Sequence, residues 1–159
     1  MNERPGADAK PLEGDDLTAY NKSMEIIQQF AQSVRDGKPD TSELSDLPQV
    51  DPKKMLGALF IPKDAGDHAA GLEAILRRIP DGWGRWIRCD KGWYPIIVAL
   101  DEKIAAIAPE YEVYQVKEKF GTLRYYCSCE GEAAVYTLIT EAERQSSTTC
   151  EACGTPGQM

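Results

Sequence analysis

Residues 111–129 are the part of this 159-residue sequence that most limits its fold. Stretches 111–119 and 122–129 are rich in Val, Tyr and Thr, which favour β-strands, and they flank the pair Phe120-Gly121. Glycine at such a position can supply the positive φ that a tight turn requires. The pattern therefore predicts a β-hairpin that turns at Phe120-Gly121.

Helical patterns lie on both sides of this predicted hairpin. Before it, apolar residues recur at three- and four-residue steps from Pro95 to Ile107, and after it from about Glu132 to Gln145. Shorter helices are predicted at residues 52–59 and 67–78. We therefore predict an α+β fold: a small mixed domain with a β-hairpin flanked by helices, to which an N-terminal helix and a flexible tail are attached.

The N-terminal third of the chain differs in character from the rest. Residues 1–14 are rich in Pro, Gly and charge, which predicts a flexible tail. Residues 15–37 predict an amphipathic helix, and the turn formers at 38–50 predict a linker to a core domain at 51–159. We expect the apolar stripe of the helix to pack in a core rather than to bind a partner. The stripe consists of Leu17, Tyr20, Met24, Ile27, Ala31 and Val34.

Charge limits the partners of the protein. The formal net charge is −8, and residues 1–50 contain ten acids against five bases. Such a chain is repelled by a phosphate backbone unless it has a local basic patch, so nucleic acid is disfavoured and a basic protein partner is favoured. No window reaches the roughly 18–20 apolar residues of a membrane span, and no secretory signal is evident, so we expect a cytoplasmic protein.

The pair Cys150-x2-Cys153, followed by Gly154, has the form of a zinc knuckle. Tetrahedral zinc needs two more ligands, and the nearest candidates in sequence are Cys127 and Cys129. Residues i and i+2 of a regular strand are roughly 6.5 Å apart, so this second pair can chelate only if the strand ends or bends between them. Three interpretations stay open: a structural zinc site of four cysteines, a two-cysteine remnant without metal, and a disulfide or redox pair.

A basic and aromatic surface is predicted around the hairpin, comprising Lys117, Lys119, Arg124 and Tyr126. Such a ribbon could bind nucleic acid by charge and stacking. The alternative is that these are solvated strand residues in salt bridges, since Glu118 lies among them and the chain is acidic. The acidity favours this second interpretation.

The residues offer little for catalysis. His68, the single histidine, has no nucleophile near it in sequence, and Cys89 is interpreted as a buried structural thiol. Asp101 and Glu102 are expected on an exposed helix face. No phosphate loop, nucleophile elbow or dinucleotide fingerprint is present, so we predict that the protein is not an enzyme. The tryptophans are expected to pack in an ordered loop or short strand rather than form a ligand cage; they are Trp83, Trp86 and Trp93.

Three sequence strings together resemble a known family. They are Gly92-Trp-Tyr, Lys117-Glu-Lys-Phe-Gly-Thr-Leu-Arg124, and Cys150-Glu-Ala-Cys-Gly-Thr-Pro-Gly157. The sequence is similar in this region to a family of uncharacterised proteins of bacterial genomes, prophages and phages, and that resemblance implies no activity. In the family a second pair of Cys or His ligands typically follows the terminal Cys-x2-Cys-Gly. None occurs here before Met159, so we expect a truncated finger.

Two functions are compatible with these observations. The first is a non-enzymatic interaction protein of phage or prophage type that binds, and could inhibit, a host or phage protein such as a basic one that handles nucleic acid. The second is a small zinc-knuckle protein that binds nucleic acid or regulates through the basic hairpin. The charge favours the first, and the knuckle favours the second.

Overall fold

The computed structural model describes residues 6–157 and divides the chain into two compact units. The smaller unit is Leu12–Met55. The larger unit comprises residues 56–157 together with the described part of the N-terminal segment, residues 6–11.

The smaller unit is built around helix α1, Gly14–Arg35. Its buried residue is Ile26, which lines a small cavity with Phe30 and Leu44, the first residue of a short 3-10 turn. Because an α-helix turns 100° per residue, Ile26 lies outside the predicted stripe and Phe30 lies at its edge. The stripe is consequently half uncovered, with exposed side chains at Leu17, Ile27 and Val34.

The larger unit contains a four-stranded sheet with the order β1-β2-β3-β4. Its strands are β1, Leu59–Phe60; β2, Arg85–Arg88; β3, Val113–Lys119; and β4, Thr122–Cys127. The first three are parallel, and β4 returns antiparallel to β3 as the predicted hairpin. Both turn residues have positive φ, 54° at Phe120 and 76° at Gly121, which is the combination that a two-residue type I′ turn requires.

The helices follow the sequence pattern closely. Helix α2 is Pro52–Gly57, α3 is Ala69–Leu76, α4 is Tyr94–Ile107 and α5 is Ala133–Ser146. A 3-10 turn at Gly66–His68 precedes α3, which is therefore shorter than predicted. A hairpin flanked by helices α4 and α5 confirms the α+β class.

The core lies on one face of the sheet. The strand residues in it share one face and pack against buried residues of α3, α4 and α5; they include Leu59, Val116, Leu123 and Tyr125. Val113, which pairs with Cys127, joins this face across a register shift in β3. Since strand side chains alternate between faces, all three helices must lie on the same side of the sheet. The strand side chains that point the other way form a second face, which we call the outer face.

Part of the predicted tail is attached to the larger unit. The guanidinium of Arg77 donates hydrogen bonds to the carbonyl oxygens of Gly6, Ala7 and Ala9, at 2.9–3.3 Å. The backbone N–H of Leu59 donates to the carbonyl of Lys10. Residues 1–5 of that predicted tail lie outside the described residues.

The described helices include none that is both long enough and apolar enough to cross a bilayer. The longest, α1, has 22 residues and carries charged side chains along its length.

Candidate functional site

Cys127 and Cys129 form a buried pair. Strand β4 ends at Cys127, so the chain turns before Cys129 and the two sulfurs are 3.8 Å apart rather than at the spacing of a regular strand. Burial, and after it the neighbouring Cys129, raises the pKa of Cys127 to about 12. The thiol of Cys127 is therefore protonated at neutral pH.

Cys150 and Cys153 lie on a surface turn with knuckle geometry. The N–H of Gly154 donates to the carbonyl of Cys150, and the N–H of Cys150 donates to the carbonyl of Thr155, both at 2.8 Å. Gly154 has a φ of 76°, which glycine adopts without strain. Hydrogen bonds from the hydroxyl and the backbone of Thr155, and then from Cys150, lower the pKa of Cys153 to about 7.

The turn is held in place by the protein itself. The indole N–H of Trp93 donates to the carbonyl of Thr149 at 2.8 Å, and the backbone N–H of Gly92 donates to the carbonyl of Glu151 at 2.7 Å. A Cβ at Gly92 would lie 2.2–2.4 Å from backbone atoms of the turn, so only glycine permits this close approach. The Gly-Trp-Tyr string and the Cys-x2-Cys string, distant in sequence, are thus in direct contact.

The four cysteines remain two separate pairs. Within residues 6–157, no three His, Cys, Asp or Glu side chains come together in a group that could hold a metal ion. A zinc ion shared by all four thiolates would require the pairs to move together. The four-cysteine zinc site therefore stays a prediction, and each pair by itself offers two of the four ligands.

Two other residues considered in the sequence analysis, Cys89 and Asp101, are buried in the structure. Cys89 is buried, and burial raises its pKa far above the ordinary value, as a structural thiol requires. Asp101 lies at 7% exposure and accepts hydrogen bonds from Arg78 and Tyr111, so the expectation of an exposed acid was wrong there. The side of α4 that carries Asp101 is covered because Tyr111, which follows the helix, returns across it.

The outer face of the sheet brings basic residues of three strands together. Arg88 of β2 pairs with Lys117 of β3, and Lys117 pairs with Arg124 of β4. Paired residues in neighbouring strands lie on the same face, so these three cations form a row across the sheet, which we call the basic row. Lys119 follows Lys117 by two positions and shares this face.

Aromatic rings accompany the cations of the outer face. The guanidinium of Arg88 lies 5.5 Å from the ring centroid of Trp86, and the ammonium of Lys117 lies 5.5 Å from that of Tyr126. These distances are within the range of cation–π attraction. Both rings are half-buried, which leaves part of each accessible at the surface.

The basic row is only partly neutralised by acids. Arg124 forms an ion pair with Glu143 of α5 at 3.2 Å. Among the described residues, neither Arg88 nor Lys117 forms an ion pair. Since α5 lies on the helical side, the guanidinium of Arg124 reaches round the edge strand β4 to this acid. The predicted explanation by salt bridges thus applies to Arg124, and Arg88, Lys117 and Lys119 are the cations that remain available on the outer face.

The predicted binding residues Lys117, Lys119, Arg124 and Tyr126 therefore share one face, and Arg88 and Trp86 join them there. Sequence reasoning missed these last two because the pairing of β2 with β3 joins residues about thirty positions apart. A local signal did exist, since Trp86 and Arg88 are separated by two positions, as neighbours on one strand face are.

Comparison with family models, with curated proteins and with solved structures yields no significant match. The resemblance to the phage and prophage family stays a prediction. What the protein does must therefore be argued from the outer face and the cysteine pairs themselves.

Proposed function

We propose that this protein is a non-enzymatic binding protein that holds single-stranded nucleic acid on the outer face of its sheet. The observation that carries the proposal is the group of cations on that face that form no ion pair among the described residues, Arg88, Lys117 and Lys119, with Trp86 and Tyr126 beside them. Single strands are commonly bound by a positively charged surface that follows the phosphates and by aromatic rings on which bases stack.

The charges near the outer face affect the binding of a nucleic acid there more than the net charge of the protein does. At physiological salt the Debye length is about 8 Å, so acids remote from the outer face are largely screened. They still reduce the affinity, and we expect weaker binding than a basic protein of this size would give.

We also propose that the protein is located in the cytoplasm, where nucleic acid and basic partner proteins are accessible.

The test is a titration of fluorescently labelled oligothymidine and oligouridine by fluorescence anisotropy. With about three phosphate contacts, the logarithm of the association constant should fall against the logarithm of salt with a slope of about −2, or about 20-fold between roughly 50 and 200 mM. The double variant Arg88→Ala with Lys117→Ala should weaken binding by at least about tenfold and reduce the slope to about −0.7.

The matched control is Lys103→Ala, which removes an exposed lysine from α4 on the helical side of the sheet. It changes the net charge without touching the outer face, so binding should stay within about twofold. If Lys103→Ala weakened binding as much as Arg88→Ala or Lys117→Ala alone, binding would reflect net charge only. That result would rule out the outer face as the site.

A second candidate function is the binding of a basic protein of a host or phage, with inhibition as its consequence. The observation that favours it is the exposed apolar side of α1 at Leu17, Ile27 and Val34, in a helix whose first turn contains Asp15 and Asp16. An apolar patch beside acids suits a partner with apolar and basic residues. A pull-down from the native host with the parent and with Ile27→Asp tests it, because a partner of α1 should be lost from the variant only.

A further inference from the structure

Phe120 is the most exposed large apolar side chain among the described residues, at 85% exposure. It also has a φ of 54°, a left-handed conformation that bulky residues adopt only with strain. The first position of a type I′ turn favours Asn, Asp or Gly, which tolerate this conformation. Two unfavourable features therefore coincide at one residue, and neither contributes to the folded core.

The position of Phe120 connects it with the basic row. Lys117 and Lys119 lead along β3 on the outer face to the turn, where the ammonium of Lys119 lies 5.4 Å from the Phe120 ring centroid. Alternate strand residues advance about 6.6 Å, so the ring lies at the end of a short line of cations. A single-stranded nucleic acid that contacts those cations in order would next reach the Phe120 ring.

We infer that Phe120 is a stacking platform for an unpaired base of the single strand that the outer face holds. The inference rests on the proposed function and adds that the bound strand extends over the hairpin turn. A base has two π-faces, and an exposed phenyl ring can cover one of them whatever the base is. Strain at a turn residue is often retained where the residue serves binding, which accounts for phenylalanine where asparagine would fit better.

The substitution Phe120→Asn separates binding from folding. Asparagine suits the left-handed turn, so the melting temperature should rise by about 2–4 °C. Loss of the ring should weaken binding of a labelled oligothymidine roughly tenfold. Phe120→Tyr keeps a ring and should stay within about threefold of the parent. The control Tyr136→Asn removes an exposed ring from α5, on the helical side of the sheet, and should leave binding unchanged.

An abasic oligonucleotide of the same length identifies what the ring contacts. If Phe120 stacks on a base, Phe120→Asn should weaken binding of oligothymidine about tenfold and of the abasic probe by less than about twofold. An equal loss on both probes would overturn the stacking inference and indicate a contact with the backbone.

The failures of the two proposals are distinguishable. Unchanged oligothymidine binding by Phe120→Asn, with a loss in Arg88→Ala, would overturn the stacking inference and leave the outer face as the site. No binding of either probe by the parent protein would overturn both proposals.

Discussion

Cys127 and Cys129 are buried at the end of β4, whereas Cys150 and Cys153 lie on a surface turn that is held by Gly92 and Trp93. The pKa of Cys127 is raised to about 12 by burial and that of Cys153 is lowered to about 7 by hydrogen bonds. Similar sequence spacing therefore gives opposite thiol chemistry, because the surroundings set the charge on the sulfur. The difference indicates that the buried pair is part of the core and that the surface pair is the chemically available one.

The largest expected difference between the pairs is in alkylation. A thiol with a depressed pKa is a thiolate above that pKa and is protonated as the pH falls through it, so Cys153 should react with iodoacetamide around pH 7 and progressively less towards pH 5. In the folded protein, Cys153 should be modified at least about a thousand times faster than Cys127, since the thiolate fractions alone differ by more than this. Mass spectrometry of peptides after timed alkylation measures both rates. Comparable rates would contradict the burial of Cys127.

The second largest expected difference between the two cysteine pairs is in zinc binding. If they act independently, as their separation in the structure indicates, Cys150→Ser should weaken zinc binding by at least about a hundredfold and Cys127→Ser by less than about twofold. Competition with a chromophoric zinc chelator on freshly reduced protein gives both affinities. Loss of zinc in both variants, with about one zinc per parent chain, would instead establish the predicted four-cysteine site.

Gly92→Ala should have the smallest effect and tests what holds the surface pair in place. The added methyl group would meet Cys150 and Glu151 backbone oxygens, so we expect about 1–2 kcal/mol of destabilisation and faster amide exchange at residues 149–157. Gly131→Ala is the control, because no atom lies within 4 Å of its added Cβ. If thermal melts and exchange of the two variants coincided, the contact between Gly92 and the turn would not be what positions the cysteines.

The hairpin and its flanking helices could be predicted from local sequence. The turn at Phe120-Gly121 is fixed by neighbouring residues, and the helix α4 predicted from Pro95 to Ile107 is observed as Tyr94–Ile107. Apolar periodicity, proline and glycine act within a few residues, so such elements can be recognised without knowledge of the rest of the chain. The spacing of Cys150 and Cys153 likewise identified the knuckle turn.

Only the tertiary structure decided which distant residues meet. The parallel pairing of β2 with β3 places Arg88 beside Lys117, and the docking of the knuckle places Gly92 against Cys150. In α1, the tertiary structure determines that Ile26 is the residue that is buried. Such contacts depend on the register of strands and on which faces pack, and the closure of long loops makes many pairings similar in entropic cost. The sequence therefore determines which residue types the outer face contains. Their assembly into one surface depends on strand pairing between segments that are far apart in the chain.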